Sequence, residues 1–164
     1  MFILLIMTFN IIQNKNLFLK ISPDMGASII NFIEKKKKIN IFRPFNNNKK
    51  INKYNSYFTG YFATVPYFGA IRKKSFYDYS KDNYISLQKT HILEPQTIHG
   101  EGWVNKWKIN ESTKNSIELF FNHNGKKGFP CKYKATQKFK LIKNSLLIDI
   151  SIKNLDKYSF DCGI

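Results

Sequence analysis

The last third of the chain places the tightest limit on its fold. Tyr133, Ala135, Phe139 and Leu141 occupy one side of a segment whose other side carries Lys132, Lys134, Lys138 and Lys140. Leu146, Ile148, Ile150 and Ile152 repeat the alternation in the next segment. Successive side chains of a strand point to opposite faces, so this spacing marks strands with one face in the core and one in water. Asn144-Ser145 lies in the short link between them, which reads as an antiparallel hairpin. Such a hairpin needs a second apolar layer to cover its inner row.

The preceding sequence can supply that layer. Leu17, Leu19 and Ile21 alternate with Phe18 and Lys20. Ser22-Pro23-Asp24-Met25-Gly26 then breaks the chain, because Pro and Gly mark turns. Further strands are expected over 27–33, 40–43, 57–65, 75–79, 84–87, 107–110 and 116–122. The last of these carries Ile117, Leu119 and Phe121 on one face. Lys35 to Lys38 reads as a solvated turn, 44–56 as an Asn/Lys-rich loop, and 92–102 and 124–131 as Gly/Pro loops. No segment keeps a helical period over three turns. The 15 Phe and 9 Tyr also favour strands. The expected fold class is all-β, an antiparallel β-sandwich in one domain with no internal repeat.

Charge and the reactive side chains narrow the function. Lys and Arg number 27 against 11 acidic residues, giving +16, so a nucleic-acid partner has to be weighed. The lysines are spread along the chain and alternate with apolar residues, and no aromatic-plus-basic cluster occurs. A nucleic-acid-binding β-protein, whose affinity would fall steeply with salt, is therefore the weakest reading, and no nucleic acid is expected as a partner. Cys131 and Cys162 have neither CxxC nor zinc-type spacing and read as free thiols of a reducing compartment. His91, His99, Glu94 and Glu101 fit no standard ligand set, so no metal is expected. His91 and His123 read as surface or strand-end residues. Residues 1–6 are apolar but too few to span a membrane. They also lack the basic region and cleavage site of a signal peptide. Met7 is an alternative start, which would leave 1–6 as an extension. The protein is expected to be cytoplasmic, with no membrane partner.

Chemistry-bearing landmarks follow one another along the chain. They are Ile21-Ser22-Pro23-Asp24-Met25-Gly26-Ala27-Ser28-Ile29, Val65-Pro66-Tyr67-Phe68-Gly69-Ala70-Ile71-Arg72, His99-Gly100-Glu101-Gly102-Trp103 with Trp107, and Gly128-Phe129-Pro130 with Tyr133. Taken alone, His99 reads as a residue that braces its loop through backbone hydrogen bonds. In order and spacing the landmarks resemble the aldose 1-epimerase (galactose mutarotase-like) family, over nearly the whole chain from about Met7.

The resemblance implies a galactose mutarotase-like supersandwich, truncated, with 7–164 as the N-terminal part of a single domain. It also implies interconversion of sugar anomers without a cofactor, on a hexose-like substrate. A general base takes the proton of the anomeric hydroxyl and a general acid protonates the ring oxygen. The ring opens, rotates about C1–C2 and recloses, which calls for groups that titrate near neutrality. His99 matches the family's "HG" histidine, which contacts substrate near the ring oxygen, and is the catalytic-site candidate. Gly100 and Gly102 let the backbone turn tightly beside a ligand. Trp103 either offers a flat face to the sugar or fills the core, and Trp107 fills the core.

The chain departs from the family pattern in two places. Gly69-Ala70-Ile71 stands where the family carries Asn-Arg-Ile, so the substrate Arg is missing. Arg72 falls on the same strand face about 7 Å further along and is the substitute candidate. The family's "G-x-H-P-[YF]-F" element, with the general-acid His, and its general-base Glu would fall after Ile164. The expectation is an aldose 1-epimerase-like protein that is incomplete, and weak or inactive, as these residues alone. The alternative is a non-catalytic carbohydrate-binding sandwich. Open strand edges and an uncovered apolar face predict self-association, or pairing with a complementary C-terminal fragment.

Overall fold

The computed structural model describes residues 8–45, 59–61, 63, 76–78, 82–85, 99–125, 129–160 and 162–164. β1 (Asn10–Gln13), β2 (Leu17–Ser22), β3 (Ser28–Glu34) and β4 (Ile39–Asn40) form an antiparallel sheet in chain order. β5 (Phe76–Asp78) and β6 (Asn83–Ile85) pair as a small ribbon. β7 (Lys108–Ser112), β8 (Ser116–Asn124), β9 (Lys132–Ile142) and β10 (Ser145–Asn154) form the second large sheet, in the order β10-β9-β8-β7.

The two large sheets face each other as a β-sandwich. Ile12, Leu19, Ile21 and Ile29 of the first sheet share one fully buried cluster with Ile117, Leu119, Tyr133, Ala135, Phe139 and Leu141 of the second. Polar contacts cross the same space. The fully buried Gln137 of β9 donates from Nε2 to the Ala27 carbonyl at 3.2 Å and accepts the Tyr61 hydroxyl at 2.7 Å. At the rim, Gln13 N–H donates to the Lys114 carbonyl at 2.8 Å, and Asn14 Nδ2 to the Lys143 carbonyl at 2.9 Å. Leu146, Ile148, Ile150 and Ile152 of β10 pack against the cluster while staying half-buried.

The alternation of 133–152 translates directly into the β9–β10 register, with Phe139 opposite Ile148 and Leu141 opposite Leu146. The link falls one residue earlier than expected. Ser145 pairs with Ile142, so Lys143-Asn144 make the turn, with Lys143 at φ 52°. The strand expected over 40–43 shrinks to Ile39–Asn40, and β1 was not foreseen. Lys35 to Lys38 form the expected turn before β4. The expected strand over 57–65 lies mostly outside the described residues, although Tyr61 makes an isolated bridge to Ile29. Neither cysteine is in a disulfide; Cys131 is buried and Cys162 exposed. Among the described residues no helix is long and apolar enough to cross a membrane.

Candidate functional site

Landmarks far apart in sequence meet at one end of the sandwich. Pro23 fixes the start of a 3-10 turn, Pro23–Met25, and Gly26 ends it in the left-handed region at φ 66°. The Ser28 hydroxyl donates to the Met25 carbonyl and closes the turn. The turn receives the 99–107 segment edge-on. Gly26 N–H donates to the Asn105 carbonyl at 3.0 Å, and Trp107 N–H to the Pro23 carbonyl at 2.9 Å. The approach is so close that a Cβ on Gly26 would stand 2.5 Å from the Trp103 carbonyl oxygen.

The 99–107 segment is braced from within. His99 and Gly100 both take left-handed backbone, at φ 57° and 67°. Gly102–Val104 form a 3-10 turn, and Asn105 Nδ2 donates to the Glu101 carbonyl at 2.9 Å. Trp103 Nε1 donates to the Gly100 carbonyl at 3.1 Å, and Trp107 Nε1 to the Gly102 carbonyl at 2.8 Å. Each indole thus satisfies a carbonyl of the tight turn while its rings fill the interior. The His99 ring lies edge-on to Trp103, with centroids 6.1 Å apart, and is half-buried.

One side chain ties this loop to the second sheet. His123, the penultimate residue of β8, is 6% exposed. Its Nδ1 lies 2.7 Å from Glu101 Oε2, and its Nε2 lies 2.8 Å from the Phe129 carbonyl. The ring stacks on Tyr133 at 5.1 Å and 11°. Burial, with the Glu101 carboxylate adding to it, pushes the Tyr133 phenol well above its ordinary value. Tyr133 therefore stays neutral beside the pair.

A second ion pair holds the turn itself. Asp24 accepts from the backbone N–H and hydroxyl of Thr8 at 2.8 and 2.7 Å, and meets Lys106 Nζ at 3.1 Å. Partial burial works against the carboxylate. The Thr8 hydrogen bonds and the Lys106 ammonium outweigh it and hold Asp24 below its ordinary value. A depressed carboxyl stabilises the fold above the unfolded value, near pH 3.9, and that contribution fades as pH falls through the folded value. Asp24→Asn is expected to cost about 1 kcal/mol at pH 7. The gap in urea midpoint between the two chains should close as pH drops below about 4; a gap that persists at pH 2 would sink the assignment.

The structure settles several expectations. Trp103 is fully buried, so the core reading holds and the substrate-face reading is corrected: an indole with no accessible surface has no face to offer a ring. Trp107, 3% exposed, is core as expected. His123 is a strand-end residue as expected, but it is buried and paired rather than at the surface. Its position was readable, since it continues the inward row Ile117, Leu119 and Phe121 at period two. Gly100 is buried with its carbonyl engaged by Trp103. Arg72, Ala70, His91 and Glu94 lie outside the described residues. Among the described residues no group of His, Cys, Asp or Glu is arranged to hold a metal.

The family model for aldose 1-epimerase matches residues 9–164. The chain belongs to the aldose 1-epimerase family. Solved structures agree on the fold. A candidate aldose 1-epimerase from Escherichia coli K12 superposes with a TM-score of 0.74 at 21% identity, over 90% of this chain and 46% of that one. A galactose mutarotase-like protein from Lactobacillus casei gives 0.69 at 14%, over 92% and 46%. One from Clostridium acetobutylicum gives 0.68 at 17%, over 92% and 49%. The chain thus spans about half the length of these family members. No curated protein sequence matches it. The expectation of a galactose mutarotase-like antiparallel sandwich holds.

Proposed function

We propose that this aldose 1-epimerase-family chain binds a hexose-like sugar at the His99-Gly100 turn and contributes His99 to anomer interconversion. The observation that carries the reading is the backbone of His99. A non-glycine residue in left-handed conformation costs about 1–2 kcal/mol, and such strain persists where the surrounding structure imposes it, often at ligand sites. Here it holds a half-buried imidazole at the mouth of a braced loop. An imidazole can donate to a ring oxygen or accept from a hydroxyl, so it suits a group that gains and loses a proton as the ring opens. Arg72 is proposed as a second sugar contact, and Gly100 as the residue that lets the chain turn beside the ligand. One histidine cannot serve both the anomeric hydroxyl and the ring oxygen. Sugar binding, rather than turnover, is therefore what these residues are expected to supply by themselves.

The test is a titration of the chain with galactose and glucose followed by NMR. Saturable binding is expected, weakened at least tenfold, about 1.4 kcal/mol, in His99→Ala. Magnetisation exchange between the sugar's anomers should stay at the buffer rate. Unchanged affinity in His99→Ala would remove His99 from the site. Accelerated anomer exchange would show that the acid and base are both among these 164 residues.

A further inference from the structure

We infer that Glu101 and His123 form a positioning clasp that fixes the His99-Gly100 turn against the second sheet. The inference rests on the sugar-binding reading of that turn for its consequence, though not for its geometry. His123 reaches in two directions. The Phe129 carbonyl can only accept, so the 2.8 Å contact puts a hydrogen on Nε2. On the other side, Nδ1 and Glu101 Oε2 lie 2.7 Å apart, and a proton must stand between them, because two bare lone pairs repel at that distance. The imidazole is thus doubly hydrogen-bonded and joins the strand β8, the segment entering β9 and the loop of His99.

Packing leaves the ring little freedom. It stacks on Tyr133 and meets Phe129 edge-on at 5.5 Å. The pair is 6% and 14% exposed, where poor screening strengthens an imidazole–carboxylate contact relative to a surface pair. Glu101 is two residues from His99, and its own carbonyl accepts from Asn105 Nδ2 and from Val104 N–H at 3.2 Å. Releasing the Glu101 side chain therefore unties the His99 end of the loop, while the Gly26 turn still holds the part from Trp103 to Trp107. Misplacing a contact group by 1 Å can cost about 100-fold in what it does. Neither His123 nor Glu101 has to touch the sugar for this; they act through the placement of His99.

The loop carries its own reporters, since both indole N–H groups donate to carbonyls of the turn. The experiment compares the wild-type chain with Glu101→Ala and Glu101→Gln by NMR, with galactose as the probe. In Glu101→Ala the Trp103 indole signal is expected to move and to exchange its hydrogen at least tenfold faster. Galactose affinity should fall at least tenfold while the β9–β10 amide signals stay in place. In Glu101→Gln the side-chain amide N–H can donate to the bare Nδ1 of a neutral ring whose hydrogen stays on Nε2, and most of the affinity and the indole position should return. Indole signals that do not move in Glu101→Ala would overturn the clasp. So would moved signals with galactose affinity within twofold of wild type. If the wild-type chain binds no galactose, the sugar reading fails, and the indole signals still decide whether the clasp exists.

Discussion

Gly26→Ala is expected to lower stability by about 3 kcal/mol or more, with loss of the native Trp103 environment. Two costs combine. At φ 66° an L side chain adds about 1–2 kcal/mol. The new methyl would then stand 2.5–2.7 Å from the oxygen, Cα and carbonyl carbon of Trp103. These are backbone atoms of a braced turn, so no flexible side chain can swing away, and overpacking of this kind costs about 1–3 kcal/mol. The turn and the loop can separate only by giving up the Gly26–Asn105 and Trp107–Pro23 hydrogen bonds. Thermal unfolding followed by tryptophan fluorescence checks this. At this chain length each kcal/mol moves Tm by about 2–4 °C, so a drop of about 6–12 °C is expected, with a red-shifted native spectrum. A drop of under 2 °C would show that the two landmarks do not dock as described. His99→Ala, in contrast, should affect ligand affinity far more than Tm, because it leaves that docking untouched.

The hairpin and the β8 row were legible because burial of alternate side chains wrote them into the sequence, and the Pro23–Gly26 break because Pro and Gly mark turns. What sequence could not give was which segments touch. Gly26 and Trp103 are 77 positions apart, yet their backbones are in contact. Nothing in either segment's local pattern encodes the other. The Trp103 question stayed open for the same reason, since an indole beside two glycines suits a ligand face or a core equally until its burial is known. The link of the last hairpin slipped by one residue because Lys143 takes left-handed backbone, a state that turn composition assigns more readily to Asn or Gly. His123 and Gln137 are different: both sit at inward positions of clearly alternating strands, and both are polar. A polar residue that interrupts an apolar row has to find partners within the core. That signal was present in the sequence, although it does not name the partners.

Gln137 is where this argument predicts the second large effect. Its side chain is fully buried and spans the sandwich, accepting from the Tyr61 hydroxyl and donating to the Ala27 carbonyl. Burial pushes the Tyr61 phenol well above its ordinary value, so the hydroxyl keeps its proton and continues to donate. Gln137→Met preserves length and fills the space but strands both partners. An abandoned buried donor or acceptor costs about 1–3 kcal/mol, so a loss of about 2–4 kcal/mol is expected after the apolar gain, read from urea midpoints. The cost should come from the stranded groups rather than from the methionine. Removing a group that is already stranded then costs little: Tyr61→Phe should cost about 1 kcal/mol or more in the wild-type chain and almost nothing in the Gln137→Met background. Equal costs in both backgrounds would mean that Tyr61 and Gln137 are not coupled across the sandwich.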